Sequence, residues 1–243
     1  MILEYLTIFA LGLAPSVVWL VFFEREERER PEPMSDLVFA FIVGAVTTFV
    51  ALFAQVLLAR YFAVIGIPLH SPLGVGIFAT LEEVIKFLGV LLLVVPRRSF
   101  DEPLDAMIYM ITAALGFAAV ENIASLVTSG TLSEIFANMR SIELLVLRFL
   151  GATLLHTVAS GIIGFHYAVG WIRGRLRWLH VLMGILIAGL LHTVFNLLIL
   201  TYGPASWALA FVAVITFFLL VDFEELRTEE ERDGLVTPPA PKL

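Results

Sequence analysis

The chain has 243 residues, of which 60% are hydrophobic and 15% charged, with a mean hydropathy of +0.96 and a formal net charge of -7. Roughly a quarter of the residues in a soluble domain are charged, so a soluble globular fold is excluded. The chain has no cysteine, which removes disulfides, thiol nucleophiles and thiolate metal sites, and no basic run of the kind that binds nucleic acid.

A segment that crosses a bilayer needs about 20 apolar residues and must satisfy its own backbone hydrogen bonds. The apolar segments here are continuous rather than alternating, so they read as helices and not as strands of a barrel. Seven are predicted, at 2–23, 36–59, 73–96, 103–128, 142–172, 179–201 and 205–221. The expected class is an all-α polytopic membrane protein: a bundle of about seven transmembrane helices forming one domain over residues 1–222. The first segment has no positive flank before it and reads as a retained helix. Residues 24–32 alternate acids with arginines and read as a solvated loop. The linker 60–72, with Pro68 and Pro72, is a candidate for a short re-entrant piece. The fifth segment is longer than a bilayer requires and should tilt or protrude. Residues 223–243, acidic and then proline-rich, are expected to form a disordered cytoplasmic tail.

Orientation follows from the basic residues. The loops after odd-numbered segments, with the tail, hold all of the 15 Lys and Arg except Arg60 and Arg140 on the opposite side and Lys86 and Arg148 within segments. This asymmetry predicts a multi-pass protein with its N-terminus outside and its C-terminus in the cytoplasm. In that frame Glu82 and Glu83 lie roughly 13 to 15 Å below the outer end of the third segment at 1.5 Å per residue. Glu121 falls about 10 Å short of the outer end of the fourth, and His192 about 13 Å short of that of the sixth. His156 lies about 20 Å along the fifth. Scattered structural polar groups would have no reason to share a depth; these can converge on one site that opens outward.

Each motif has a bland reading beside a chemical one. Lys86 is four residues from Glu82 and three from Glu83, both helical neighbour spacings. A single Glu–Lys pair would read as a structural tie, but one lysine leaves a surplus carboxylate that can act as a base. Glu121, followed by Asn122, has no local cation and must find a partner on another helix. His156 and His192 each precede a small polar residue one turn later on the same face, Ser160 and Asn196. One buried histidine is usually a satisfied polar group. Two, with three glutamates at a common depth, are tools for proton transfer or metal binding. Side-chain amides such as that of Asn196 can donate to an oxyanion. A proton-coupled transporter or channel, built on Glu and His relays, is the alternative.

The ordered set Glu82-Glu83-Val84-Ile85-Lys86, Phe117 through Glu121-Asn122, His156 through Ser160, and His192 through Asn196 resembles the PrsW family of intramembrane proteases. The likeness covers a core of about 73–201. The related CAAX-prenyl endopeptidases share the paired glutamates and the final His and Asn. They differ by a histidine where this chain has Glu121, and by an arginine one residue after the position of Lys86. The resemblance implies hydrolysis of a peptide bond in a single-span membrane protein at the bilayer. It also implies site-1 cleavage of an anti-sigma factor and a location in the plasma membrane. Under this reading Glu82 or Glu83 deprotonates water and Asn196 stabilises the oxyanion. Glu121, His156 and His192 either hold a divalent metal, zinc first among candidates, or position the water directly; Lys86, Asn122 and Ser160 support them.

Overall fold

The computed structural model describes residues 2–26, 31–131, 136–137, 142, 146–174, 177–201 and 205–233. Its described residues form seven α-helices: α1 (Ile2–Glu26), α2 (Met34–Ile65), α3 (Pro72–Leu93), α4 (Asp105–Thr128), α5 (Thr153–Arg173), α6 (Arg177–Thr201) and α7 (Ala205–Asp233). A π-helical segment, Leu147–Ala152, leads into α5. Six of the helices are long and apolar enough to cross a membrane, which makes this a multi-pass membrane protein. The remaining one is α3, whose 22 residues match a bilayer in length but carry Glu82, Glu83 and Lys86 near the middle. The residues that make the third predicted segment interesting are those that lower its hydropathy.

The bundle places α4 and α5 at its centre. Every residue from Asp105 to Ala119 of α4 is buried, as is every residue from Thr153 to Gly164 of α5. Helix α4 packs against α1, α2 and α5, α5 also against α6 and α7, and α3 is held between α2 and α6. The outer helices turn large apolar side chains outward, among them Leu52, Phe53 and Leu57 on α2, Leu186 and Leu190 on α6, and Phe217 and Phe218 on α7. Such a surface is stable against lipid and would not be in water. Between helices there is no hydrophobic gain in lipid, so close backbone approach carries the packing. A Cβ on Gly44 would stand 1.8 Å from the Ala113 carbonyl oxygen, and one on Gly116 1.9 Å from that of Phe41, so no other residue fits the α2–α4 crossing.

Helix α3 is amphipathic in an unusual sense. Val75, Ala79, Glu82, Glu83, Lys86, Phe87 and Val90 are buried and recur at three- and four-residue steps, so its charges lie on the inward stripe. Its start is well specified. Ser71 is the N-cap, its hydroxyl accepting from the Gly74 N–H at 3.1 Å, and Pro72 follows at the first helical position.

Four boundaries differ from the sequence reading. Helix α2 runs on to Ile65 and stops at Gly66, whose φ of 77° closes the helix with a bond to the Phe62 carbonyl. The linker 60–72 is therefore the end of a helix followed by a turn that leads into α3. The long fifth segment is divided, since α5 proper begins at Thr153 after the π-helical segment. Helix α7 continues to Asp233, because the acidic run after Asp222 is itself a good helix former. The tail from 234 lies outside the described residues. Finally, Glu32 is half-buried and accepts a hydrogen bond from the Tyr109 hydroxyl, so this end of the expected solvated loop is docked on the bundle.

Candidate active site

Four helices each carry one motif to a common point. Helices α3 and α6 approach closely enough that a Cβ on Gly189 would lie 2.5 Å from Thr80 Oγ1. One turn beyond Gly189, His192 reaches Glu83, its Nδ1 2.9 Å from Glu83 Oε1. From α5, Ser160 donates to Glu83 Oε2 at 2.9 Å. Lys86 donates to Glu83 Oε1 at 2.6 Å, and both side chains are completely buried. Both oxygens of Glu83 are thus occupied by three side chains. An isolated charge in a low-dielectric interior costs several kcal/mol, and a compensated pair such as this is the form in which it survives.

Lys86 also lies 3.1 Å from Nδ1 of His156. An ammonium has only protons to give, so Nδ1 accepts, and the ring proton of a neutral His156 sits on Nε2. That nitrogen is 2.8 Å from Glu121 Oε2, which accepts it. This is the inter-helix partner that Glu121 was expected to require. The His156 and His192 rings meet edge to face, 4.9 Å between centroids. Phe117 packs on His156 at 5.4 Å, with the Lys86 ammonium 4.8 Å from the same ring. Asn122 donates to Thr153 Oγ1 at 2.9 Å and so ties α4 to the first turn of α5.

Glu82 is held differently from its neighbour. Its Oε1 accepts from the Gln55 amide at 2.7 Å. Its Oε2 is buried without a hydrogen bond among the described residues, 3.7 Å from His192 Nε2. Of the two spacings open to Lys86, the structure uses the one to Glu83, which leaves Glu82 as the surplus acid.

The group lies at the edge of a cavity of about 600 Å³. Glu82, Glu121, Asn122, His156, His192 and Asn196 line it, with Gln55 from α2, His70 from the turn before α3, and Leu11 and Pro15 from α1. Glu83, Lys86 and Ser160 stand behind that lining. Glu121, with 29% of its side chain exposed, faces the cavity, whereas the Glu83 side chain is wholly enclosed. All nine residues singled out from the sequence therefore belong to one neighbourhood. Gln55 was not among them, although a single amide between Phe53 and Leu57 in an otherwise apolar stretch is itself a costly choice that asks for a partner.

The donor set suits a divalent metal. Glu82, His156 and His192 each offer a ligand atom, all within 4.8 Å of one another. Two imidazoles and a carboxylate are a common three-ligand set for catalytic zinc, which keeps a further position for water. The unpaired Oε2 of Glu82 is the kind of buried atom a cation would satisfy. Glu83, accepting from Nδ1 of His192, is placed like the outer carboxylates that orient metal-bound histidines. His156 fits provided that it gives up Lys86 or Glu121 on ligation. The carboxylate of this set is Glu82, where the sequence reading had taken Glu121.

A helical membrane bundle with paired glutamates and two imidazoles on a buried cavity has the makings of an intramembrane hydrolase. The chain belongs to the PrsW family of intramembrane metalloproteases, whose family model matches residues 32–222. It is 26% identical over 234 residues to Protease PrsW of Geobacillus kaustophilus, covering 96% of each chain. It is 28% identical over 188 residues to Protease PrsW of Bacillus subtilis, covering 76% of this chain and 79% of the relative. Against Protease PrsW of Clostridioides difficile it is 25% identical over 218 residues, covering 88% and 87%. No solved structure matches the chain significantly. Membership sets aside the transporter reading.

Proposed function

We propose that the chain cleaves a peptide bond of a single-span membrane protein, with an anti-sigma factor as the substrate class suggested by the family resemblance. The observation that carries this reading is the unpaired Glu82 Oε2 beside two imidazoles on a cavity large enough for an extended peptide segment. Glu82, His156 and His192 would hold the metal, zinc first among candidates. When bound, such an ion polarises the scissile carbonyl and lowers the pKa of water towards neutrality.

The chain's own groups divide the remaining work. Glu83 accepts the Nδ1 proton of His192 and so leaves Nε2 unprotonated towards Glu82 and the cavity. Lys86 and Ser160 fix Glu83 in that task. With Glu83 enclosed and Glu82 among the ligands, Glu121 is the carboxylate best set to serve as base. It takes a proton from water as the oxygen adds to the carbonyl carbon. It returns that proton to the leaving nitrogen as the C–N bond breaks. Asn196, one turn after His192 on the cavity wall, donates to the developing oxyanion. In the alternative division Glu82 is the base and no metal is held; the same groups would then position water by hydrogen bonds.

The distribution of Lys and Arg supports an orientation with the N-terminus outside and the C-terminus in the cytoplasm, and the family resemblance suggests the plasma membrane. The cavity then opens towards the outer half of the bilayer. The test is purified protein in liposomes with a panel of single-span substrates, including an anti-sigma factor. Cleavage at the membrane boundary that is lost in Glu121→Gln supports the reading. Cleavage by Glu121→Gln at the wild-type rate would remove Glu121 as base.

A further inference from the structure

We propose that Gln55 is a positioning residue for this site: its amide clamps one oxygen of Glu82 so that the other is presented to the two imidazoles. The inference rests on the metal-binding role proposed for Glu82 and extends the site to α2, outside the four motifs.

The geometry is specific. Gln55 Nε2 donates to Glu82 Oε1 at 2.7 Å. A carboxylate can only accept, so the amide nitrogen and not its oxygen must face Glu82. With Oε1 held, rotation about the terminal torsion of Glu82 is stopped. This torsion is otherwise broad and roughly two-fold, so an unheld carboxylate would turn freely. The stopped orientation leaves Oε2 buried, without a hydrogen bond, and 3.7 Å from His192 Nε2. Among the described residues Glu82 has no second clamp of the kind that fixes Glu83, whose oxygens are taken by Lys86, Ser160 and His192.

The residue's surroundings exclude a simple packing role. Leu52, Phe53, Val56 and Leu57 around it point outward as large exposed apolar groups, so this stretch of α2 forms the lipid-facing wall. An amide there is unfavourable unless it is used. Gln55 itself lines the cavity beside Glu82, which is where the one amide of this stretch is spent. Partners that orient a ligand from outside the coordination sphere typically contribute 10- to 100-fold in metal affinity or activity.

The experiment compares wild type, Gln55→Leu, Glu82→Gln and the double variant. The full chain is purified in detergent, with zinc affinity read by chelator competition and the unfolding temperature of the metal-free protein in parallel. Gln55→Leu keeps the bulk and removes the donor. It should weaken zinc binding about 10- to 100-fold with the metal-free unfolding temperature unchanged. In the Glu82→Gln background it should weaken zinc no further, because its effect runs through Glu82. Wild-type affinity in Gln55→Leu, or the same loss with and without Glu82, would overturn the proposal. If wild type takes up no zinc, the metal reading fails instead, and Gln55 is judged by cleavage of the same single-span panel. In that case Gln55→Leu must lower kcat with KM unchanged, and a wild-type kcat would overturn it.

Discussion

Two polar clusters among the described residues of this bundle are built on opposite plans. The first joins the ends of α2, α3 and α4. Arg97 donates through Nε to Asp36 Oδ1 at 2.8 Å and lies over the Phe39 ring. The Tyr109 hydroxyl donates to Glu32 and lies 3.0 Å from Ser99 Oγ. Asp105 Oδ2 accepts the backbone N–H groups of Asp101 and Glu102 at 2.8 and 2.7 Å. Its polar groups close helix ends and turns, and those named all have partners. The second cluster, at Glu82, lies in the middle of helices whose backbones need no help. It borders a cavity and leaves one carboxylate oxygen without a hydrogen bond. Burying polar groups costs free energy in both clusters, so expense alone does not reveal function. What separates them is whether the polar groups serve the backbone or are left facing a space.

The sharpest way to break this contrast is to remove one carboxylate at a time from the second cluster. Glu82→Gln and Glu121→Gln should each lower the cleavage rate about 10²- to 10⁴-fold or more with the fold retained. Glu83→Gln should also abolish cleavage, but by another route. It strips the buried Lys86 ammonium of its counter-charge, which costs about 3–5 kcal/mol in comparable pairs. Equal stability of Glu82→Gln and Glu83→Gln in thermal unfolding would show that the two adjacent glutamates are not differently employed.

In the first cluster the expected signs reverse. Tyr109→Phe removes a hydroxyl that bonds Glu32 and meets Ser99, and should cost about 1–3 kcal/mol of stability while cleavage persists. A cleavage defect larger than the loss of folded protein would mean that this end of the bundle communicates with the site.

The smallest effect concerns Glu32. Burial holds its carboxyl above the usual carboxylate range, against the lowering effect of Tyr109 and Asp105. A carboxyl whose folded pKa is raised contributes stability below the unfolded value and loses it as pH rises through the folded one. Unfolding temperature should therefore fall slightly with rising pH above the ordinary carboxylate range, and Glu32→Gln should flatten that slope. An unchanged slope in Glu32→Gln would assign the dependence to another group.

The helices were legible because a bilayer demands long apolar runs, and the motif residues because it penalises every charge within them. Which glutamate Lys86 would choose was not legible. Steps of three and four residues are both helical neighbours, and the choice depends on Ser160 and His192 arriving from α5 and α6. That Glu82 lies with the two imidazoles as closely as it does was not legible for the same reason, since common depth places residues in a layer but not around a point. Gln55 escaped notice because it stands alone, without a motif. Glu32 escaped because a loop rich in alternating charges reads as solvated even where its last residue docks. The division of the fifth segment at Leu147–Ala152 has no proline to announce it.

The central claim is that Glu82, His156 and His192 hold a metal that the reaction requires. The direct measurement is metal content per chain, taken on the same purified samples whose cleavage rate is recorded, for wild type, Glu82→Gln, His156→Ala and His192→Ala. Wild type should carry about one zinc per chain, the number a single three-ligand site can hold. Each variant should lose it together with activity, and a strong chelator should silence wild type until zinc is restored. Full activity in wild-type protein with far less than one metal per chain would contradict the claim, as would variants that keep their zinc.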